Sequence, residues 1–193
     1  MSILTVNVGG MFSGKSTELQ RQGERHVLAG HKVLFIKPDM DTRYSDCEVV
    51  THKGQKVKAI SVPTYADLKN YINTAEVDVV LIDEVQFFSE RIIPSIWWLL
   101  SKGIRVYASG LDMDFLSDGF PTTEKLMAMA DVVQKFHAVC EGCGEDAVIT
   151  AKRNFHEVGS SDVIELGAKE TYIPLCRSCY IKYMATKGED SNG

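Results

Sequence analysis

The stretch that decides the fold is ILTVNVGGMFSGKST, residues 3–17. A short apolar run leads into a glycine-rich turn, and residues with helical periodicity follow the turn. Residues 9–16 fit the pattern G-x-x-x-x-G-K-[ST], in which glycines let successive backbone N–H groups converge on phosphate oxygens. The sequence therefore predicts a strand over 3–8, a phosphate-binding loop and a helix over 16–29 that ends at Gly30.

Four residues of this loop have separate chemical tasks. Gly9 and Gly14 allow the tight backbone curvature, and the helix that opens at Ser16 adds the partial positive charge of its first N–H groups. We expect Lys15 to reach the β- and γ-phosphates of a nucleotide and the Ser16 hydroxyl to bind Mg²⁺.

Two carboxylates end a second apolar run, VVLIDE at residues 79–84. A P-loop protein needs an acidic residue at the end of a neighbouring buried strand to hold magnesium, and Asp83 has that position. Glu84 is then available to remove a proton from an attacking hydroxyl or water. The D-E-x-Q pattern also occurs in helicases, but the chain is too short for the second lobe that a helicase requires.

The rest of the chain alternates strand and helix patterns, which favours a doubly wound and mostly parallel sheet. Residues 39–58 are polar and predict a long surface loop or flap. After Cys140 the pattern changes to short β-like pieces, and the last residues predict a disordered tail. Further strands are predicted in 31–38, 77–84, 104–110 and 132–140, and helices near 64–75, 91–103 and 122–131.

Composition limits the class of function. The net charge is −5, which argues against a protein that mainly grips nucleic acid, because such proteins present a basic face. No apolar run has the length of a membrane span, and the N-terminus lacks the pattern of a secretory signal. These features predict a cytoplasmic protein without a membrane or nucleic-acid partner.

Four cysteines form two C-x-x-C pairs, Cys140 with Cys143 and Cys176 with Cys179. Four thiolates at this spacing are typical of a closed tetrahedral zinc site, which stabilises a fold and leaves no open position for catalysis. Residues 144–175 must loop out between the pairs. Cys47 has no partner in the sequence and no assigned role.

The phosphate loop, the segment IDEVQFF and the late cysteine quartet together resemble the thymidine kinases of the zinc-containing type. The resemblance covers nearly the whole chain, from MFSGKSTEL to CRSCY. It implies transfer of the γ-phosphate of ATP to the 5′-hydroxyl of thymidine, and of deoxyuridine, in nucleotide salvage. It also implies a RecA-like P-loop domain with a mostly parallel sheet, a small zinc domain with a nucleoside-covering loop, a homotetramer, and feedback inhibition by thymidine triphosphate.

The resemblance assigns roles to residues at matching positions. Glu84 becomes the general base and Arg43 stabilises the transferred phosphate, while Asp83 and Ser16 serve Mg²⁺ and the cysteines hold Zn²⁺. ATP binding extends over Gly9, Gly10, Met11, Phe12, Ser13, Gly14, Lys15, Ser16, Asp83 and Gln86. The nucleoside is assigned to Met11, Asp41, Phe87, Leu111, Phe115, Phe120, Thr150, Val163 and Tyr172.

The implied domains are 1–138 for nucleotide binding, 139–182 for zinc and the substrate loop, and 183–193 for the tail. The sequence differs from the usual pattern of the family at two places in the substrate loop. Gly167-Ala168 stands where the family often has two glycines, and Glu165 stands where an apolar residue is common. The alternative function is a P-loop ATPase whose zinc ribbon acts on nucleic acid. It predicts a basic, aromatic stripe near the cysteines, and the segment EGCGED at 141–146 is acidic.

Overall fold

One seven-stranded sheet organises the fold, in a computed structural model that describes residues 2–40, 48–50, 56–153 and 171–189. The strand order is β3-β4-β2-β5-β6-β1-β7, and every pairing is parallel except that of β3 with β4. The predicted α/β class is confirmed. The strands are β1 (Leu4–Val8), β2 (Val33–Pro38), β3 (Glu48–Val50), β4 (Lys56–Val62), β5 (Val79–Ile82), β6 (Arg105–Gly110) and β7 (Val132–Lys135).

Helices cover both faces of this sheet. Helix α1 (Lys15–Leu28) packs Leu19 against one face, and α2 (Ile92–Ser101) and α3 (Pro121–Met129) pack Ile96 and Leu126 against the other. Strands buried on both faces need apolar side chains on both, which is why β5 reads as the unbroken run VVLI.

The strand order places three loops together. Strand β6 lies between β1 and β5, so the carboxyl ends of these three parallel strands share one edge. In open α/β sheets ligands bind at this edge. The phosphate loop follows β1, Asp83 follows β5, and Leu111 follows β6.

A smaller unit follows the sheet. It contains β8 (Ala138–Val139), β9 (Asp146–Ala147), β10 (Ile149–Lys152), β11 (Tyr172–Leu175) and α4 (Arg177–Glu189). β8 pairs with β9 and β10 pairs with β11, both antiparallel. Its own apolar cluster includes Ala151, Ile173 and Leu175.

The helix predicted near 64–75 is wrong. The segment contains a single 3₁₀ turn, Leu68–Asn70. The Asp67 carboxylate accepts a hydrogen bond from the Lys69 N–H, and the Asn73 side chain accepts one from the Ala75 N–H. Such side-chain bonds satisfy the backbone locally and compete with a continuous helix.

The loop predicted over 39–58 is wrong in part, because it contains β3 and the start of β4. β3 pairs antiparallel with the start of β4, and β4 pairs parallel with β2, so the two strands extend the sheet beyond β2. Residues 41–47 and 51–55, and with them Cys47, lie outside the described residues.

The last predicted strand, over 132–140, is two strands with different partners. β7 pairs with β1, and the Phe136 N–H still bonds to the Val8 carbonyl at 2.8 Å before the chain leaves for the β8–β9 pair.

Residues 183–189, which the sequence assigns to the tail, belong to a helix. Helix α4 runs to Glu189, and the Tyr183 hydroxyl donates to the carbonyls of Lys152 and Arg153. In the part of the chain that the structure describes, no helix has both the length and the apolar character to cross a bilayer.

Candidate active site

The phosphate loop has the backbone shape that its glycines predict. Gly9 has φ +143° and Gly14 has φ +87°, a region that side-chain-bearing residues rarely adopt. A Cβ atom on Gly9 would lie 2.2 Å from the Phe136 carbonyl oxygen, so no other residue fits there without a shift of β7's end. Phe12 also has a left-handed conformation, with φ 65°.

Lys15 is folded onto this loop. Its Nζ donates to the Gly10 carbonyl at 2.7 Å, and the side chain is buried. Burial lowers the pKa of Lys15, while Glu84, Asp83 and Asp112 act in the opposite direction. A buried lysine in the phosphate loop is placed to bind the oxygens of a phosphate chain.

Asp83 lies opposite the start of α1. The Ser16 hydroxyl donates to its Oδ1 at 3.2 Å, and the Glu84 N–H donates to the same oxygen at 3.0 Å. Burial, followed by the charge of Glu84, raises the pKa of Asp83 from 3.8 to about 6. A hydroxyl 3.2 Å from a carboxylate oxygen supplies two oxygen ligands of the kind that Mg²⁺ binds.

Glu84 has an unusual backbone and a fixed side chain. Its φ of 52° is left-handed, which is uncommon for a residue with a Cβ and is concentrated at functional sites. The Gln86 amide donates to Glu84 Oε2 at 2.6 Å, and its carbonyl oxygen accepts from the Leu111 N–H at 3.0 Å. The turn after β5 is thereby tied to the loop after β6.

A narrow pocket lies where the sheet meets the small unit. Its free volume is about 10 Å³, enough for roughly one water molecule, so a larger ligand enters only if the side chains move apart. The Thr150 hydroxyl oxygen of β10 accepts a hydrogen bond from the Met11 N–H at 2.9 Å, which joins the pocket to the phosphate loop. The lining residues are Met11, Leu111, Met113, Asp114, Phe115, Thr150 and Tyr172.

Five residues that the resemblance assigns to the nucleoside line this one pocket: Met11, Leu111, Phe115, Thr150 and Tyr172. Phe87 and Phe120 are half-buried and do not line it. Asp41, Arg43 and Val163, as well as Glu165 and the Gly167-Ala168 pair, lie outside the described residues.

Sequence reasoning missed three residues of this region. Met113 and Asp114 line the pocket, and their place between two predicted pocket residues in GLDMDF could have indicated them. Asp112 is buried and pairs with Lys135 at 2.9 Å, which connects the ends of β6 and β7 on either side of β1. No local pattern marks that pair.

The four cysteine sulfurs lie within 4.8 Å of one another. A Cβ atom on Gly142 would lie 2.9 Å from the Cys179 sulfur, so the turn between Cys140 and Cys143 must be glycine to close over the cluster. Among the described residues this is the only such group of possible metal ligands. His137, close in sequence to Cys140, bonds to Asp146 at 3.1 Å.

The protonation of these thiols favours a cation at their centre. Burial opposes ionisation of Cys140, but backbone N–H groups of Cys176, Gly142 and Cys143 lower its pKa to about 6. Hydrogen bonds with the other three sulfurs raise the pKa of Cys179 to about 12. Four sulfurs this close cannot all be thiolates unless a metal compensates their charge, and the all-sulfur set suits Zn²⁺.

Comparison with known proteins identifies the family of the chain. The family model of thymidine kinase matches residues 2–180. The chain belongs to the thymidine kinase family. A thymidine kinase of Pseudothermotoga lettingae is 42% identical over 188 residues, which cover 96% of this chain and 98% of that protein.

Membership in the thymidine kinase family makes the chain an ATP-dependent kinase that phosphorylates thymidine. Family membership therefore argues against the alternative function, a P-loop ATPase whose zinc ribbon acts on nucleic acid. Among solved structures, domain III of the Thermotoga maritima replication initiation protein DnaA aligns with a TM-score of 0.43 and 17% identity, over 69% of this chain and 54% of that one. So weak a likeness carries no argument about fold or function.

Proposed function

We propose that thymidine binds in the pocket of Met11, Leu111, Phe115, Thr150 and Tyr172, and that ATP binds on the loop over residues 9–16. The observation that carries this proposal is the place of Met11, which belongs to the phosphate loop and also lines the pocket. Donor and acceptor therefore meet at one residue, which brings the γ-phosphate close to the nucleoside.

Glu84 is the general base of the proposed mechanism. It takes the proton of the 5′-hydroxyl as that oxygen attacks the γ-phosphate. Its support is the place beside Asp83 and the hydrogen bond from Gln86, which holds one carboxylate oxygen at 2.6 Å. Lys15 leaves the Gly10 carbonyl for the phosphate oxygens, and the backbone N–H groups of the loop hold the remaining phosphate charge.

Ser16 and Asp83 are the residues that would hold Mg²⁺. The ion, when bound, neutralises charge on the β- and γ-phosphates. The support for this role is the contact between the two side chains, since the Ser16 hydroxyl and Asp83 Oδ1 lie 3.2 Å apart at the start of α1. The four cysteines would hold Zn²⁺ as a structural ion that fixes the end of β8 and the end of β11 relative to one another.

Other roles rest on the resemblance alone. Arg43 stabilises the transferred phosphate and Asp41 lies near the sugar, while Phe87, Phe120 and Val163 complete the nucleoside site. The chain is divided at 138 and 182, acts in the cytoplasm, binds neither membrane nor nucleic acid, forms a homotetramer, and is inhibited by thymidine triphosphate. Deoxyuridine is a second acceptor.

The test is a phosphoryl-transfer assay with several nucleosides and nucleoside triphosphates, run on the wild type and on Glu84→Gln. We expect transfer from ATP to thymidine, and a loss in kcat of about 10²–10⁴-fold in the variant with ATP binding retained. Wild-type turnover in Glu84→Gln would remove Glu84 from the role of base. Absence of transfer to any nucleoside, with hydrolysis stimulated by polynucleotide, would favour the alternative.

A further inference from the structure

Gln86 is buried between Glu84 and the pocket wall. Its Oε1 accepts from the Leu111 N–H at 3.0 Å, and its Nε2 donates to Glu84 Oε2 at 2.6 Å. A backbone N–H can only donate, and therefore the amide must turn its oxygen toward Leu111. The amide NH₂ must then face the Glu84 carboxylate, which can accept it.

The backbone of Gly110 lies close against this amide. A Cβ atom on Gly110 would lie 2.6 Å from Gln86 Oε1 and 2.6 Å from Val85 Cγ2, so glycine is what lets the turn after β5 approach the end of β6. Gln86 belongs to the 3₁₀ turn Val85–Phe87, and Val85 is fully buried. The donor is thus fixed by packing before any substrate binds.

We propose that Gln86 is the positioning residue of the reaction: it holds the Glu84 carboxylate in the orientation in which it accepts the proton of the 5′-hydroxyl. This inference rests on the proposed role of Glu84 as base. A glutamate has three rotatable side-chain bonds, and a base that is displaced by about 1 Å can lose about 10²-fold in rate.

The same amide also joins the base to the acceptor site. Leu111 lines the pocket, and its N–H is one of the two groups that Gln86 binds. A shift of the pocket wall is therefore transmitted to the carboxylate through one rigid side chain. This arrangement keeps the base aligned with the nucleoside rather than with the nucleotide.

The test compares Gln86→Glu with a matched control, Gln22→Glu. Gln22 of α1 is as buried as Gln86, donates to Glu18 at 2.6 Å and accepts from Arg25 at 2.9 Å, so the same substitution breaks the same kind of bond outside the site. We expect Gln86→Glu to lower kcat about 10²-fold with KM for thymidine and ATP changed by less than about 3-fold. Gln22→Glu should keep the wild-type kcat.

A second variant, Gln86→Met, has similar length and no added charge. It cannot bind either partner, so it leaves the Leu111 N–H unpaired and should lower kcat and raise KM for thymidine together, while KM for ATP stays constant. Thermal unfolding of each variant checks that the protein folds. This second variant is necessary because Gln86→Glu also places a negative charge beside Glu84, and charge repulsion alone would lower its activity.

The outcomes separate the two proposals. Wild-type kcat in both Gln86 variants, with Glu84→Gln inactive, would overturn the positioning role and leave the base in place. An effect on KM for ATP alone would make Gln86 a nucleotide contact and would also overturn it. Wild-type turnover in Glu84→Gln would remove the base, and the positioning role with it.

Discussion

The buried Asp83 should make the ligand-free protein less stable at neutral pH than an uncharged variant. Its side chain is buried, and burial together with the charge of Glu84 raises the pKa of the carboxyl from 3.8 to about 6. Asp83→Asn keeps an oxygen that can accept from Ser16 and from the Glu84 N–H, so the variant removes the charge while these two hydrogen bonds remain possible.

The magnitude follows from the difference between the two pKa values. Below pH 4 the carboxyl is protonated in both the folded and the unfolded chain. Between pH 4 and 6 only the folded chain keeps the proton, so the free energy of unfolding of the wild type falls as the pH rises. A difference of about two pKa units corresponds to about 3 kcal/mol, which is fully lost above pH 6.

The assay is thermal unfolding of wild type and Asp83→Asn from pH 4 to pH 8, without nucleotide or divalent ions. Relative to the wild type, the variant should gain roughly 6–12 °C in Tm between pH 4 and pH 7.5, at about 2–4 °C per kcal/mol for a chain of this size. Addition of ATP with Mg²⁺ should then raise the Tm of the wild type and have little effect on the variant.

Two results would refute this reasoning. A Tm difference that is the same at pH 4 and pH 7.5 would show that Asp83 is not held protonated by the fold. Equal stabilisation of the wild type and Asp83→Asn by ATP with Mg²⁺ would show that Asp83 does not bind the ion.

Three further predictions concern other parts of the molecule. His26 is buried against Tyr107 and His31. Burial lowers the pKa of His26, and the charges of Arg105, His31 and Arg25 act in the same direction. On acidification the unfolded chain therefore binds this proton before the folded chain does, so the free energy of unfolding should fall as the pH drops below about 6.5. His26→Gln should flatten this part of the pH–Tm curve, and an unchanged slope would contradict it. Removal of zinc with a chelator, or Cys176→Ser, should lower the Tm and raise KM for thymidine. The reason is that β11 leads directly from the pocket residue Tyr172 to Cys176. Metal analysis that finds no zinc in the native protein would contradict this prediction. Thymidine should be preferred over deoxyuridine by roughly 10–200-fold in kcat/KM, the usual range for one methyl group in an apolar pocket, and Leu111→Ala should reduce that ratio; a ratio near one in the wild type would argue against this pocket as the methyl site.

Local chemistry made the phosphate loop predictable. The glycines at 9 and 14 are required by backbone angles that few other residues adopt, and Lys15 and Ser16 follow within one turn. The buried strands were predictable too, because both faces of β5 and β6 are covered and the sequence shows it as apolar runs. The cysteine cluster was predictable because its residues form two C-x-x-C pairs in the sequence.

Other features depend on contacts that no local pattern records. The segment 64–75 has apolar residues at helical spacing, but it does not form a continuous helix. The side chains of Asp67 and Asn73 accept hydrogen bonds from nearby backbone N–H groups there. The partners of Gln86 are fixed by a close approach at Gly110, which the sequence shows only as one more glycine. The Asp112–Lys135 pair joins two strands that are separated in sequence by α3.

The hydrogen bond from Met11 to Thr150 spans 139 residues of sequence. During synthesis the strands of the main sheet leave the ribosome before β10 does, and domains commonly fold from the N-terminus as they appear. A chain that stops before residue 140 would therefore hold the nucleotide loop without the wall that Thr150 and Tyr172 supply. Because Thr150 and Tyr172 are synthesised after the whole main sheet, the proposed acceptor pocket is completed late, and a truncated chain would have a nucleotide loop without an acceptor site.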